Sequence, residues 1–318
     1  MGDDKPTGDY SGDGASARTR VRGRTMAAVE TVDKTKTVVD KAIASIGDIA
    51  TLPEITIKII EIVEDHKSTA RDLHEVIKND PALSVKVLKV VNSAFYGLPG
   101  QVASVDRAII LLGLSAVKNI AIAASIARLF KGKRISEKFS ASDLWRHSVG
   151  VAVAARALAK CSPHPVMPDD LFVAGLIHDI GTLVERQVFP NPFAEVIRRC
   201  TESDIDFLAC EREVIGADHQ AFGVGLTTKW KFPRHLRAAV GFHHNPEAVS
   251  VELKNIVTLV RAADVLACQE KIGFYFTARH DHMNAETLEA LGITAAQFEA
   301  VRVSVPQQLE EAEATLRS

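Results

Sequence analysis

The stretch LFVAGLIHDIGTLV, Leu171 to Val184, reads as a buried helix except at His178 and Asp179, which stand side by side between Ile177 and Ile180. Burying a neutral polar group without a partner costs roughly 2–7 kcal/mol, and a charge costs more. The rest of the chain is therefore expected to bring donors, another charge or a metal ion to this imidazole and carboxylate.

Working outward, apolar residues recur at helical spacing from Thr31 onward. Pro53 takes the place of a first helical residue, with Ile55, Ile59, Ile62 and Val63 on one face behind it. Asp80-Pro81 repeats the signal ahead of Leu83, Val87, Val90 and Val91. Ser68 and Ser104 are candidate N-caps and Gly113 a helix stop. The segments SDLWRHSVGVAVAARALA, DDLFVAGLIHD, HQAFGVGLTTKW, PRHLRAAVGFHH and VELKNIVTLVRAADVLACQ follow the same period, and no run alternates apolar and polar residues over the length of a strand. The expected fold class is all-α.

The chain has 318 residues, 47% apolar and 25% charged, an ordinary globular composition that allows one or two domains. Its net charge of −2 lacks the basic excess that phosphate-backbone binding requires, so nucleic acid is not an expected partner. DRAIILLGLSAVKNIAIAASIARLF has the helix-turn-helix outline, yet its second helix offers only Lys118, Asn119 and Arg128 to read bases and is expected to pack inside instead. Residues 1–25 lack apolar periodicity and read as a disordered tail; RTRVRGR, Arg18 to Arg24, has the charge to touch nucleic acid or an acidic membrane, but the plainer expectation is a solvated leader ahead of an alternative start at Met26. The four cysteines, Cys161, Cys200, Cys210 and Cys268, form no Cys-x-x-Cys pair and suit a reducing cytoplasm. The longest apolar run, Ile120 to Ala127, falls far short of the 18 or so residues of a membrane span, so a cytoplasmic protein is expected.

Five blocks, LPEITIKIIEI, VIKNDPALSVKVLKVVNSAFYG, SVDRAIILLGLSAVKNIAIAAS, LWRHSVGVAVAARALA and AGLIHDIGTLV, together resemble the HDOD domain, the HD-related output domain of bacterial signalling proteins, over about residues 46–270. The resemblance implies an N-terminal helical layer packed on an HD-like helical bundle. Residues 26–135 would form the N-terminal helical half and 136–318 the HD-like half, with the last helices closing the same domain. It implies a regulator that acts through contact with other signalling proteins. The alternative class is a metal-dependent phosphohydrolase like the HD-GYP phosphodiesterases, acting on a cyclic dinucleotide or another small phosphoester. The turn NSAFYG, Asn92 to Gly97, is expected to join the two halves, with Phe95 buried and Asn92 satisfying backbone groups at a helix end.

The HD superfamily builds its metal site from a His, a His-Asp pair and a distant Asp, and the resemblance carries these onto His147, His178, Asp179 and Asp264. HD-GYP enzymes add a His and a His-His pair for a second ion, here matched by His219, His243 and His244. Imidazoles and carboxylates suit iron, manganese or zinc, and one carboxylate such as Asp179 can bridge two ions about 3.5–4 Å apart. Each residue taken singly also has a structural use as a hydrogen-bonded core group. Two departures speak against cyclic dinucleotide hydrolysis: Thr182 stands where the active HD-GYP enzymes have Lys, and HHNPEAVSVEL lacks the Gly-Tyr-Pro. Asp143, beside Ser142, reads as an N-cap or first-turn carboxylate. His66, His74, His164, His235, His280 and His282 read as solvent-exposed, and Trp145 and Trp230 as core rings.

Overall fold

The computed structural model describes residues 33–47, 52–65, 67–93, 96–130 and 138–316, and every regular element among them is a helix. The expectations for residues 1–25, for His66 and for Phe95 lie outside the described residues. No described helix is long and apolar enough to cross a membrane.

The first part of the chain forms α1 (33–45), α2 (Glu54–Glu64), α3 (Ala70–Lys78), α4 (Pro81–Val91), α5 (Val105–Leu112) and α6 (Leu114–Ile126). Asp80 caps α4 by accepting from the Leu83 amide at 2.9 Å, and Pro81 occupies the first helical position, where its missing N–H costs nothing. Ser104 caps α5 through the Arg107 amide at 3.2 Å, and Gly113, at φ +87°, ends α5 and admits the turn into α6. Two starts shift by one residue. Pro53 lies just outside α2 as its N-cap, and α3 is capped by Thr69 rather than Ser68. Only a residue three positions before Asp72 can close the reciprocal box in which Thr69 Oγ1 accepts from the Asp72 amide and Asp72 accepts from the Thr69 amide.

α6 is buried nearly all round and packs against α2, α4, α5 and α8 (Pro168–Ile177). Two of the polar side chains that a DNA-reading helix would have needed are committed internally: Lys118 donates to the Ile62 carbonyl at 3.3 Å and Asn119 to Asp170 at 2.8 Å. The internal-packing expectation therefore holds. Asn92, at the end of α4, bridges both chain directions by donating to Leu88 and Val102 carbonyls at 2.9 and 2.8 Å and accepting from the Val102 amide at 2.7 Å. The Arg156 guanidinium, 4.7 Å over the Tyr96 ring, carries this turn onto α7 (Ala141–Cys161).

α7 is the axis of the remaining bundle and packs against α8, α14 (Val251–Gln269) and α16 (Ala295–Leu316). Ser140 caps it through the Asp143 amide at 3.1 Å, so Asp143 is a first-turn carboxylate, the second of the two places that its sequence context suggests. Around this axis lie α9 (Gly181–Val188), α10 (Pro190–Glu202), α11 (Phe207–Val214), α12 (His219–Lys229), α13 (Arg234–Phe242) and α15 (Ala285–Ala290). α16 closes on α7 through ion pairs from Arg146 to Glu310 and to Glu313, the latter at 2.6 Å. Trp145 and Trp230 are core rings, as expected. His74, His164 and His235 are half-buried rather than exposed, because His74 pairs with Asp106, His164 faces the Ala290 carbonyl at 2.9 Å and His235 faces Asp170 at 3.9 Å.

Candidate metal centre

The stretch Leu171 to Val184 is not one helix. α8 stops at Ile177, His178 to Ile180 form a turn, and α9 begins at Gly181. A Cβ on Gly181 would lie 1.8 Å from the His219 carbonyl oxygen, so the absent side chain is what lets α9 start against the first turn of α12. That contact places Asp179 beside His219. A second glycine acts likewise at the other end: Gly273, at φ +58°, lies so near Asp143 and His147 that a Cβ would come within 2.2 Å of the Asp143 carbonyl. Its turn directs the Ile272 carbonyl onto His147.

Five elements or turns then converge. α7 contributes His147, the α8–α9 turn His178 and Asp179, α12 His219, the end of α13 His243 and His244, and α14 Asp264. His147 Nε2 stands 3.1 Å from Asp264 Oδ1 and 3.8 Å from Asp179 Oδ2. His178 Nε2 is 3.4 Å from Asp179 Oδ1 and 3.7 Å from Asp264 Oδ1. Asp179 Oδ1 is also 3.3 Å from His219 Nε2 and 3.4 Å from His243 Nε2. The ring of His244 lies 4.2 Å from that of His243 and 5.2 Å from that of His219, centroid to centroid. All seven residues singled out in the sequence are thus brought together.

The orientation of the imidazoles is consistent. His147 Nδ1 faces the Ile272 carbonyl at 3.1 Å, His178 Nδ1 the Gly175 carbonyl at 2.7 Å, and His243 Nδ1 the Ala239 and Val240 carbonyls, both at 3.1 Å. A carbonyl can only accept, so each of these Nδ1 atoms carries a proton, and in the neutral ring each Nε2 presents a lone pair to the centre. His219 Nδ1 is held by Glu211 at 2.9 and 3.0 Å. Outer groups that fix the tautomer in this way are the usual support of metal-binding histidines.

At the centre itself hydrogen-bond partners run out. The Nε2 atoms of His178, His219, His243 and His244, both oxygens of Asp179 and Oδ2 of Asp264 are buried without one. Ligand atoms of Asp179, His219, His243 and His244 all lie within 4.8 Å of one another, as do those of His147, His178 and Asp179. Asp179 belongs to both groups, the placement of a bridging carboxylate. A set of inward lone pairs and carboxylate oxygens with no donor among them fits one or two divalent cations.

With protein groups alone, protons must do part of a cation's work. Burial would depress the His178 imidazolium, but Asp179 and Asp264 outweigh it and raise its pKa to about 10. Burial likewise opposes charge on His219, yet Glu211 and Asp179 lift it to about 9. His243, buried beside His244, is pushed down to about 3. Asp179 and Asp264 sit well below the usual carboxylate range, because His178 and His219 around the first, and His147 and His178 around the second, overcome the cost of burial.

Three further residues at the centre were not singled out in the sequence. Glu211 holds His219, and Glu185, fully buried, lies against Glu211; burial and that neighbouring charge raise its pKa well above the usual range. Cys268 Sγ donates to Asp264 Oδ1 at 3.4 Å. The signal available was position: Cys268 falls one helical turn after Asp264 and shares its face. Thr182 is fully buried, and its hydroxyl has no hydrogen-bond partner.

A fold of helices around a buried histidine and aspartate centre defines the class, and comparison with known proteins supplies the family. The HDOD domain model matches residues 49–246, and the chain belongs to the HDOD family. A curated relative, an uncharacterized protein of Treponema pallidum (strain Nichols), is 25% identical over 229 residues, 71% of this chain, and the chain spans 44% of that relative's length. A solved structure from Marinobacter aquaeolei VT8, provisionally named a signal transduction protein, aligns with a TM-score of 0.71 at 22% identity, covering 89% of this chain and 65% of the other. One from Shewanella amazonensis SB2B, provisionally named a metal-dependent phosphohydrolase, aligns at 0.57 with 22% identity, covering 89% and 98%. At these identities the structures speak for the shared fold.

Proposed function

We propose that this chain is a bacterial regulatory HDOD protein that acts through contacts with other signalling proteins, and that its His147, His178, Asp179, His219, His243, His244 and Asp264 centre holds one or two ions of iron, manganese or zinc as part of its core. The observation that carries the reading is enclosure. His147, His178, Asp179, His219 and His243 are fully buried, Asp264 is 1% exposed, and His244, the member that reaches solvent, exposes 8% of its side chain. A phosphoester would need an open coordination position and a route to it. Bound ions would instead neutralise the two carboxylates and take up the orphaned Nε2 lone pairs, while the outer carbonyls and Glu211 keep the rings aimed.

The second reading, a metal-dependent phosphohydrolase, is favoured by one feature: the shared position of Asp179 between two ligand groups. Two ions so held supply activation of water and stabilisation of charge at a phosphorus centre. Against it, Thr182 offers no positive charge to a substrate phosphate and is itself enclosed. The test is to load the full chain with iron, manganese or zinc, confirm occupancy by elemental analysis, and assay cyclic di-GMP and a simple phosphodiester. Hydrolysis at background is expected, together with capture of a defined signalling protein from the native host by the parent chain. Robust hydrolysis that requires metal and disappears in Asp179→Ala overturns the regulatory reading.

A further inference from the structure

We propose that Cys268 is a metal ligand, completing the half of the centre built on His147 and Asp264 and making that half selective for a thiophilic ion such as zinc or ferrous iron. The proposal rests on the reading of the cluster as a metal centre and assigns it a ligand of a different chemical kind.

The argument starts from spacing. Asp264 and Cys268 are four residues apart on α14, one turn along the same buried face. Cys268 Sγ is 3.4 Å from Asp264 Oδ1, and His147 Nε2 is 3.1 Å from that same oxygen. Ligand atoms of the three residues all lie within 4.8 Å of one another. In a tetrahedral site with nitrogen and oxygen at about 2.0 Å and sulfur at about 2.3 Å, neighbouring ligand atoms are roughly 3.3–3.5 Å apart. Asp264 is therefore spaced from each of the other two as a neighbouring vertex of one coordination sphere, and His147 and Cys268 lie within 4.8 Å of each other. Independent of the cysteine, Asp264 Oδ2 and His178 Nε2 in the same half are buried with no hydrogen-bond partner.

The thiol has one competing use, as a hydrogen-bond donor to Asp264, and a serine would serve that use equally well. Coordination differs in its chemistry: the S–H bond breaks, its electron pair forms the sulfur–metal bond, and the proton leaves to bulk water. Thiolate favours zinc and iron, whereas manganese and magnesium prefer oxygen. The other group, Asp179 with His219, His243 and His244, contains no sulfur, so the two halves differ in the ions they prefer.

The experiment uses the full chain, stripped with a chelator and reloaded with cobalt(II), with bound cobalt counted by elemental analysis. A sulfur-to-cobalt charge-transfer band in the near ultraviolet is expected, retained when Cys161, Cys200 and Cys210 are all replaced by serine and lost in Cys268→Ser. The zinc-loaded parent should show a sulfur neighbour at about 2.3 Å by X-ray absorption. Zinc affinity should fall about tenfold or more in Cys268→Ser, with manganese affinity unchanged. Cobalt bound by the parent without the band, or a band that survives Cys268→Ser, overturns the cysteine assignment and leaves the metal centre standing. A parent that binds no ion of any kind overturns the metal reading beneath it. Should Cys268→Ser fail to fold, the parent's band and sulfur neighbour decide the matter.

Discussion

Asp179 Oδ1 lies 3.3 Å from His219 Nε2, joining the turn after α8 to the first residue of α12 across a fully buried gap. The same oxygen faces His178 and His243, so removing it leaves three imidazoles facing one another without their shared carboxylate. Asp179→Ala is expected to lower stability by about 3–5 kcal/mol, the loss typical of breaking a buried charge pair, both with metal and in chelator. Urea unfolding under the two conditions checks it; a variant as stable as the parent in chelator removes Asp179 from its central place.

Gly181→Ala puts a methyl group where the His219 carbonyl already stands. Since both sides of the clash are backbone, α9 and α12 must separate. A loss of about 3 kcal/mol or more is expected, along with weakened metal retention, measured by thermal melting and elemental analysis of the same sample.

Asn92→Ala removes two donated bonds and one accepted bond at the end of α4. Because the side chain is partly exposed, water recovers some of the loss, and a destabilisation of about 1–2 kcal/mol is expected. Asn92→Asp, which keeps the acceptor for the Val102 amide, should recover part of it.

Glu185 predicts a pH dependence of definite sign. Its folded pKa is raised well above 4.5 by burial and by Glu211, so above that pH the folded chain keeps a proton that the unfolded chain releases. Its contribution to stability is fully present below about pH 4.5 and is lost as pH rises toward the folded pKa. Glu185→Gln keeps the shape and removes the titration. In chelator, its stability advantage over the parent should grow from about pH 5 to about pH 8, as read from urea unfolding at each pH. An advantage that shrinks over this range refutes the protonated state of Glu185.

Much of this was legible from local chemistry. Asp80-Pro81, Ser104 and Gly113 act through residues within a turn of themselves, so their spacing alone reports them. His178 and Asp179 were legible because polar groups on an apolar stretch need partners, whereas the other five site residues were reached through the resemblance to the HD superfamily. The misplaced cap, Ser68 for Thr69, arose where two adjacent hydroxyl residues compete and only the register of the following amide decides. The break after Ile177 was hidden because its cause, the His219 carbonyl against Gly181, lies 38 residues away in sequence, 219 less 181. Glu185 and Glu211 were hidden likewise, since a single acid on a helix acquires meaning only from the elements packed against it, whereas the four-residue step from Asp264 to Cys268 was there to be read.

His147 and Asp264 meet across 117 residues, and the other five residues carried over from the sequence fall between them. In the language of linkage, an ion held there is a reversible cross-link whose strength is set by its free concentration. At a free ion level a hundred times the dissociation constant it would add about 2.7 kcal/mol to the folded state. The midpoint of unfolding for the whole stretch from α7 to α14 should therefore follow metal availability as a continuous variable, and a cell starved of the ion would carry a chain of the same sequence with a shorter lifetime against proteolysis.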